Sequence, residues 1–263
     1  MMYTISLIKE ATMDKFSLKG KVAIVTGART GLGQGIALAL AEAGADIVGV
    51  GSTTLDETEK LVTDMGRKFH GISADLKNTE AIDGIIEEAV EKLGHIDILV
   101  NNAGIIRRED ALEFSEKNWD DVMDINLKTV FFLSQAAAKQ YIKQGTGGKI
   151  IHIASMLSYQ GGVRVPSYTA SKSGVKGITM AMANEWAKHN ININAIAPGY
   201  MVTDNTEALR SDENRSEEIL KRIPQGRWGT KEDIGGPCVF LASEASSYMN
   251  GFTMAVDGGW LAR

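Results

Sequence analysis

A doubly wound α/β fold, a single parallel sheet of about seven strands with helices on both faces, is the architecture that three features of this sequence predict. Short β-branched apolar runs recur at residues 21–25, 47–50, 69–72, 96–100, 150–153, 191–196 and 253–256, with helical patterns between most of them. These runs are nearly continuous in apolar character rather than alternating, as strands covered on both faces must be. The first run passes through Thr26 into glycines at 27, 31 and 33, and Ile36, Leu38 and Leu40 carry the chain on as a helix. Right-handed crossovers between successive strands then leave the Rossmann-type arrangement as the simplest solution.

Taken in order, residues before 16 read as an N-terminal appendage (1–15) and residues 16–263 as one domain, because no Pro/Ser/Gly-rich linker or internal repeat divides them. Within that domain, residues 199–229 are polar and punctuated by Pro198 and Pro224, and read as a helical excursion or a lid over the strand ends. The 263 residues are 44% hydrophobic and 23% charged, enough for one substantial core. With 28 basic against 33 acidic residues and no basic band, nucleic acid is not an expected partner. No apolar run approaches the length of a membrane span, and one cysteine, Cys238, cannot form an internal disulfide. A cytoplasmic setting without a membrane partner is the expectation. His70, His95, His152 and His189 are far apart, Cys238 has no neighbour at ligand spacing, and no metal site is expected.

The loop from Gly27 through Arg29, Thr30, Gly31 and Leu32 to Gly33 spaces its glycines as G-x-x-x-G-x-G between a strand and a helix. Such a loop lets backbone approach a pyrophosphate, whose charge the free N–H groups at a helix start favour; a simple tight turn would read the same on spacing alone. Asn102, Ala103 and Gly104 end the fourth strand, where ligands gather in open α/β sheets, or they are only turn residues. Asp75, followed by Leu76, could bond an adenine or cap a helix. After the second strand come Gly51 and Ser52, which are neither the acid that would bind a ribose hydroxyl nor the base that would bind a 2′-phosphate. Asp56 and Glu57 nearby would repel a phosphate, so NAD is expected over NADP, with Arg29 the one nearby cation that could reverse the preference.

Residues 155–172 bring a hydroxyl, a phenol and an ammonium into one short segment. Tyr168 and Lys172 are four apart and would share a helix face. The ammonium would lower the phenol's pKa from about 10 toward neutrality, leaving a group able to exchange a proton with an alcohol oxygen. Ser155, at the end of the fifth apolar run, could bond the same oxygen. Tyr-x-x-x-Lys by itself is a common coincidence, and Asn126 by itself is an ordinary polar residue in a helix.

Together, Thr26-Gly27 with Gly31 and Gly33, Asn101 to Gly104, Asn126, Ser155, Tyr168 with Lys172, and Pro198-Gly199 resemble the short-chain dehydrogenase/reductase family, from about Phe16 onward. The resemblance implies Tyr168 as catalytic acid/base, Lys172 on the phenol and the nicotinamide ribose, Ser155 orienting the carbonyl, and Asn126 in a water-mediated proton relay. Pro198, Gly199, Met201 and Thr203 would complete the cofactor site. Residues 106–114, 161–166, 227–229 and 256–263 look like a branch acting on small sugar acids of 2-deoxy-D-gluconate or 2-dehydro-3-deoxy-D-gluconate type, in uronate and pectin breakdown. That implies hydride transfer with NAD(H) and a homotetramer assembled through residues 119–144, 168–189 and the last strand. Alternatives are a 5-ketogluconate or 3-oxoacyl reductase of the same family, or a protein that binds NAD(H) without turnover.

A sugar acid needs an anchor for its carboxylate, and guanidinium offers two charge-assisted hydrogen bonds. Arg107 and Arg108 follow the Asn101–Gly104 turn and, as adjacent residues, would not both face the pocket, while Arg164 precedes Tyr168 and has the best position; for any one of them a solvated surface arginine is the commoner reading on burial statistics.

Overall fold

The computed structural model describes residues 15–263, so the expected appendage lies outside the described residues except for Lys15. The strands are β1 (Val22–Thr26), β2 (Asp46–Gly51), β3 (Phe69–Ser73), β4 (Ile98–Asn101), β5 (Gly148–Ile153), β6 (Ile191–Pro198) and β7 (Thr253–Val256). They form one sheet in the order β3-β2-β1-β4-β5-β6-β7, with every neighbouring pair parallel. The helices are α1 (Gly31–Glu42), α2 (Asp56–Asp64), α3 (Ile82–Leu93), α4 (Glu116–Met123), α5 (Thr129–Gln144), α6 (Pro166–Trp186), α7 (Glu207–Ser211), α8 (Glu213–Arg222) and α9 (Lys231–Ala242). This is the doubly wound architecture expected. The fourth strand starts at Ile98 rather than at 96, and the Asp97 carboxylate just before it accepts the Val22 N–H (2.9 Å) and bonds Lys21 Nζ (3.1 Å).

Strand periodicity divides the core into two layers. Ala23 and Val25 face one side, where Ile36, Leu40, Val62, Ile234 and Leu241 bring in α1, α2 and α9. Val22 and Ile24 face the other, against Ile85, Leu133, Tyr141 and Met182 of α3, α5 and α6. All five residues of β1 are buried, which is why its sequence is apolar throughout instead of alternating.

Strand order reverses between β1 and β4, which makes a crevice at their carboxyl ends. Thr26 fastens the two strand ends: its hydroxyl oxygen accepts the N–H groups of Asn102 (3.0 Å) and Ala103 (2.9 Å). Asn102 Nδ2 returns a bond to the Thr26 carbonyl (2.9 Å). Above this edge, residues 199–229 carry α7 and α8. The ends of the segment are joined by the N–H of Gly229 to the carbonyl of Tyr200 (2.9 Å) and the N–H of Val202 to the carbonyl of Gly229 (2.8 Å). Ile219 and Ile223 bury one side of α8 against Met156 and Trp260.

Candidate active site

Two cavities open on the carboxyl edge of the sheet and meet at Ser155 and Tyr168. The first, of about 320 Å³, is lined by Gly27, Thr30, Gly31, Leu32, Gly33, Asn102, Ala103, Gly104, Ser155, Tyr168, Lys172, Pro198, Gly199, Met201 and Thr203. The residues fit a dinucleotide. A Cβ on Gly33 would lie 2.0 Å from the Gly27 carbonyl oxygen, so the turn closes only with glycine there. A Cβ on Gly31 would meet nothing nearer than 3.8 Å, which leaves that face open to a ligand. Thr30 caps α1 without a side-chain hydrogen bond, and the helix has no acidic residue in its first turn, so its leading N–H groups face the cavity without a carboxylate of their own turn to occupy them.

Other cofactor candidates lie along the same edge but outside this wall. Arg29 is exposed, and it is its carbonyl that is engaged, accepting from Gln34 Nε2 (3.3 Å) and Thr58 Oγ1 (3.4 Å). Gly51 and exposed Ser52 end β2, Asp75 accepts the Lys77 N–H (3.0 Å) in a local turn, and Leu76 is buried.

The fifth strand delivers Ser155. Its Oγ accepts the Leu157 N–H (3.1 Å), which leaves the hydroxyl proton free. The neighbouring Ser158 spends its hydroxyl on the Lys172 carbonyl (2.6 Å). Pro166 starts α6, so Tyr168 and Lys172 stand on one face a turn apart. Lys172 is 4% exposed, and its Nζ donates to the Ile153 carbonyl (2.6 Å). The ammonium lies 5.7 Å from the centre of the Tyr168 ring.

The expected lowering of the phenol's pKa is not what this geometry produces. Burial raises Tyr168 above its ordinary value, with the Ser155 hydroxyl and the Arg108 charge opposing. Burial also pushes Lys172 down to about 8. Burial disfavours the charged form of both groups.

Asn126 is fully buried in a π-helical turn (Asp124–Lys128) between α4 and α5. Its Oδ1 accepts the Ile105 N–H (2.9 Å) and its Nδ2 donates to the Ile105 carbonyl (2.9 Å) and Ser171 Oγ (3.3 Å). The side chain thus clamps the strand-end loop to α6 beneath Gly104, and it does not line either cavity.

The second cavity, of about 450 Å³, carries Arg108 but neither Arg107 nor Arg164. Arg107 turns away to Asp121 (3.4 Å). Arg164, expected to be best placed, is exposed in a left-handed backbone conformation (φ 62°), and its carbonyl accepts the Glu109 N–H (3.0 Å). The loop's turn aims that side chain at solvent. In its place Arg215 and Arg222 reach the cavity from α8, a pair the sequence reading missed. The signal was there: Arg215, Ile219 and Arg222 are spaced i, i+4, i+7, one face of a helix. The charges of Arg215, Arg222 and Arg108 converge on the Tyr200 phenol, where they oppose the upward push of burial. Among the described residues neither Arg108 nor Arg222 has an acidic partner, while Arg215 pairs with Glu218 (2.8 Å).

A glycine loop at the switch point, and a phenol and hydroxyl where its cleft meets a second cavity, define a nicotinamide-dependent oxidoreductase. Comparison with known proteins makes the class specific: the chain belongs to the short-chain dehydrogenase/reductase family. Residues 27–261 match the family model described as enoyl-(acyl carrier protein) reductase. The chain is 68% identical to the 2-dehydro-3-deoxy-D-gluconate 5-dehydrogenase of Escherichia coli K12, over 95% of this chain and 99% of that protein. It is 57% identical to the Bacillus subtilis enzyme of the same name, over 95% and 98%. The crystal structure of a gluconate 5-dehydrogenase from Burkholderia cenocepacia in complex with NADP and tartrate superposes with a TM-score of 0.91 at 38% identity, over 96% of this chain and 99% of that one. No helix of the described residues is long and apolar enough to cross a membrane.

Proposed function

We propose that this oxidoreductase interconverts a secondary alcohol and a ketone on a small sugar acid of the 2-dehydro-3-deoxy-D-gluconate type, with NAD(H). The observation that carries the reading is the meeting of the two cavities at Ser155 and Tyr168, one walled by the glycine loop and the other by Arg108, Arg215 and Arg222. Three guanidinium groups suit a carboxylate, and relatives over nearly the full chain length bear sugar-acid names. Tartrate, a hydroxy diacid, occupies the Burkholderia cenocepacia structure. An acyl chain would find those arginines a poor wall.

When bound, the nicotinamide supplies the hydride acceptor or donor. Tyr168 then takes the proton from the alcohol oxygen, or returns it to the carbonyl oxygen. Ser155, its hydroxyl proton free, donates to that same oxygen and fixes its position. Lys172 holds its ammonium beside the phenol and lines the cofactor cavity. Asn126 keeps the 105 loop against α6, and Arg108, Arg215 and Arg222 hold the substrate carboxylate.

NAD is proposed over NADP because Ser52, Thr53 and Thr54 after β2 offer hydroxyls but no cation, while Asp56 and Glu57 open α2. Exposed Arg29 is the group that would change the outcome. A homotetramer is proposed because exposed Trp119, Phe132 and Met180 stand on α4, α5 and α6, and exposed Tyr248 and Phe252 precede β7. Following NADH absorbance with deoxyaldonates, aldonates, keto-sugar acids and a carrier-bound 3-oxoacyl chain, then repeating with NADPH, tests the reading. Turnover confined to the acyl substrate overturns the substrate class, and equal kcat/KM for the two cofactors overturns the NAD preference.

A further inference from the structure

The three arginines of the second cavity are not equivalent, and Arg222 stands apart in how it is held. Its guanidinium lies 4.0 Å over the ring of Trp260, a side chain only 4% exposed. Trp260 Nε1 donates to Gln160 Oε1 (3.2 Å), and the same oxygen accepts from Arg222 Nη2 (3.4 Å). One amide oxygen therefore uses both lone pairs to fix the platform and the cation together. Below the cation, Arg263 donates from Nε to the Arg222 carbonyl (3.2 Å) and from Nη2 to the Lys221 carbonyl (2.7 Å). These are end carbonyls of α8 that the helix itself leaves unpaired, and a cation there also suits the helix dipole. Tyr200 meets the Trp260 ring nearly edge-on, with centroids 4.8 Å apart, so the platform has its own support.

By contrast, Arg215 shares its charge with Glu218, and Arg108 is tied to the Asn205 carbonyl (2.8 Å). Arg222 combines an unpaired charge with a fixed plane. A free arginine loses side-chain entropy when it grips a ligand, and one already stacked and bonded loses less. We infer that Trp260 and Gln160 are positioning residues that preorganise Arg222 as the anchor for the substrate carboxylate, with Arg263 holding the end of its helix. This rests on the sugar-acid reading of the cavity, and it extends that reading to residues that touch no reacting atom.

The test compares kcat/KM for 2-dehydro-3-deoxy-D-gluconate and for its methyl ester in Trp260→Leu, Trp260→Phe, Arg222→Met and the Trp260→Leu/Arg222→Met double variant. NADH dissociation constants are measured alongside. Arg222→Met should cost about tenfold or more on the acid, as loss of a charge-assisted contact, and little on the ester. Trp260→Leu should reproduce most of that loss as a rise in KM with kcat and NADH binding little changed, Trp260→Phe should recover much of it, and the double variant should be no worse than Arg222→Met. A Trp260→Leu loss equal on acid and ester, or losses that multiply in the double variant, overturns the positioning role even if Arg222→Met behaves as expected. If instead the wild type does not discriminate acid from ester, the sugar-acid reading itself fails. Should Trp260→Leu not fold, Gln160→Met carries the same comparison, and an unchanged acid-to-ester ratio in Gln160→Met overturns the role.

Discussion

Lys172→Met should make the chain relatively more stable at neutral pH than at alkaline pH, although it removes a residue of the proposed proton-transfer site. In the folded state burial pushes the Lys172 ammonium down to about 8 from 10.5. At about 1.4 kcal/mol per pH unit, holding that charge in the fold costs about 3 kcal/mol at neutral pH. The sign follows from proton counting. Below the folded pKa both states carry the proton and the cost is full; between about 8 and 10.5 the unfolded chain binds it and the folded one does not, so stability rises with pH and the cost is gone above 10.5. Methionine carries no charge and should show no such dependence. Losing the bond to the Ile153 carbonyl offsets part of the variant's advantage, but that loss is nearly independent of pH and drops out of the comparison. Urea unfolding of both proteins at one concentration, from about pH 7 to about pH 9.5, should show the wild type gaining about 2 kcal/mol on the variant. Parallel stability curves across that range would refute the claim that the lysine is held in a dry site. A wild type that loses ground as pH rises would reverse its sign.

Tyr168→Phe should lower kcat at least about a hundredfold while the NADH dissociation constant changes little, because the ring remains and the transferable proton does not. A few per cent of residual turnover would count against Tyr168 as the acid/base. Arg164→Gly, which suits the left-handed backbone at that position, should leave kcat/KM for the sugar acid within about twofold, whereas Arg108→Ala should lower it about tenfold. Steady-state kinetics on the pair decide which loop arginine serves the substrate. Asn126→Leu strips Ile105 of both its side-chain partners and should cost about 2 kcal/mol in denaturant unfolding, together with a fall in kcat as the loop beside Gly104 loosens. Unchanged stability would show that Asn126 is not the clamp its bonds describe.

What the sequence determined by itself is what local chemistry specifies. Apolar runs such as the one in β1 announce strands buried on both faces, and the loop favours glycine at 27 and 31 for their left-handed φ (66° and 56°) and at 33 because a Cβ there would collide with the Gly27 carbonyl. The four-residue spacing of Tyr168 and Lys172 placed them together because a helix allows nothing else. The tertiary structure decided whatever depends on direction and burial. Arg164 is near Tyr168 in sequence yet faces solvent, because a left-handed residue turns its loop outward. Arg215 and Arg222, dozens of residues beyond the site in the chain, reach the cavity because Ile219 is buried against Trp260 and carries their shared helix face inward. Spacing suggested that Lys172 would lower the phenol's pKa, but only the packed structure reveals that burial acts on both groups, pushing the phenol up and the ammonium down. Neighbours along a helix can be read from the order of residues; the dielectric around them is set by every element packed above.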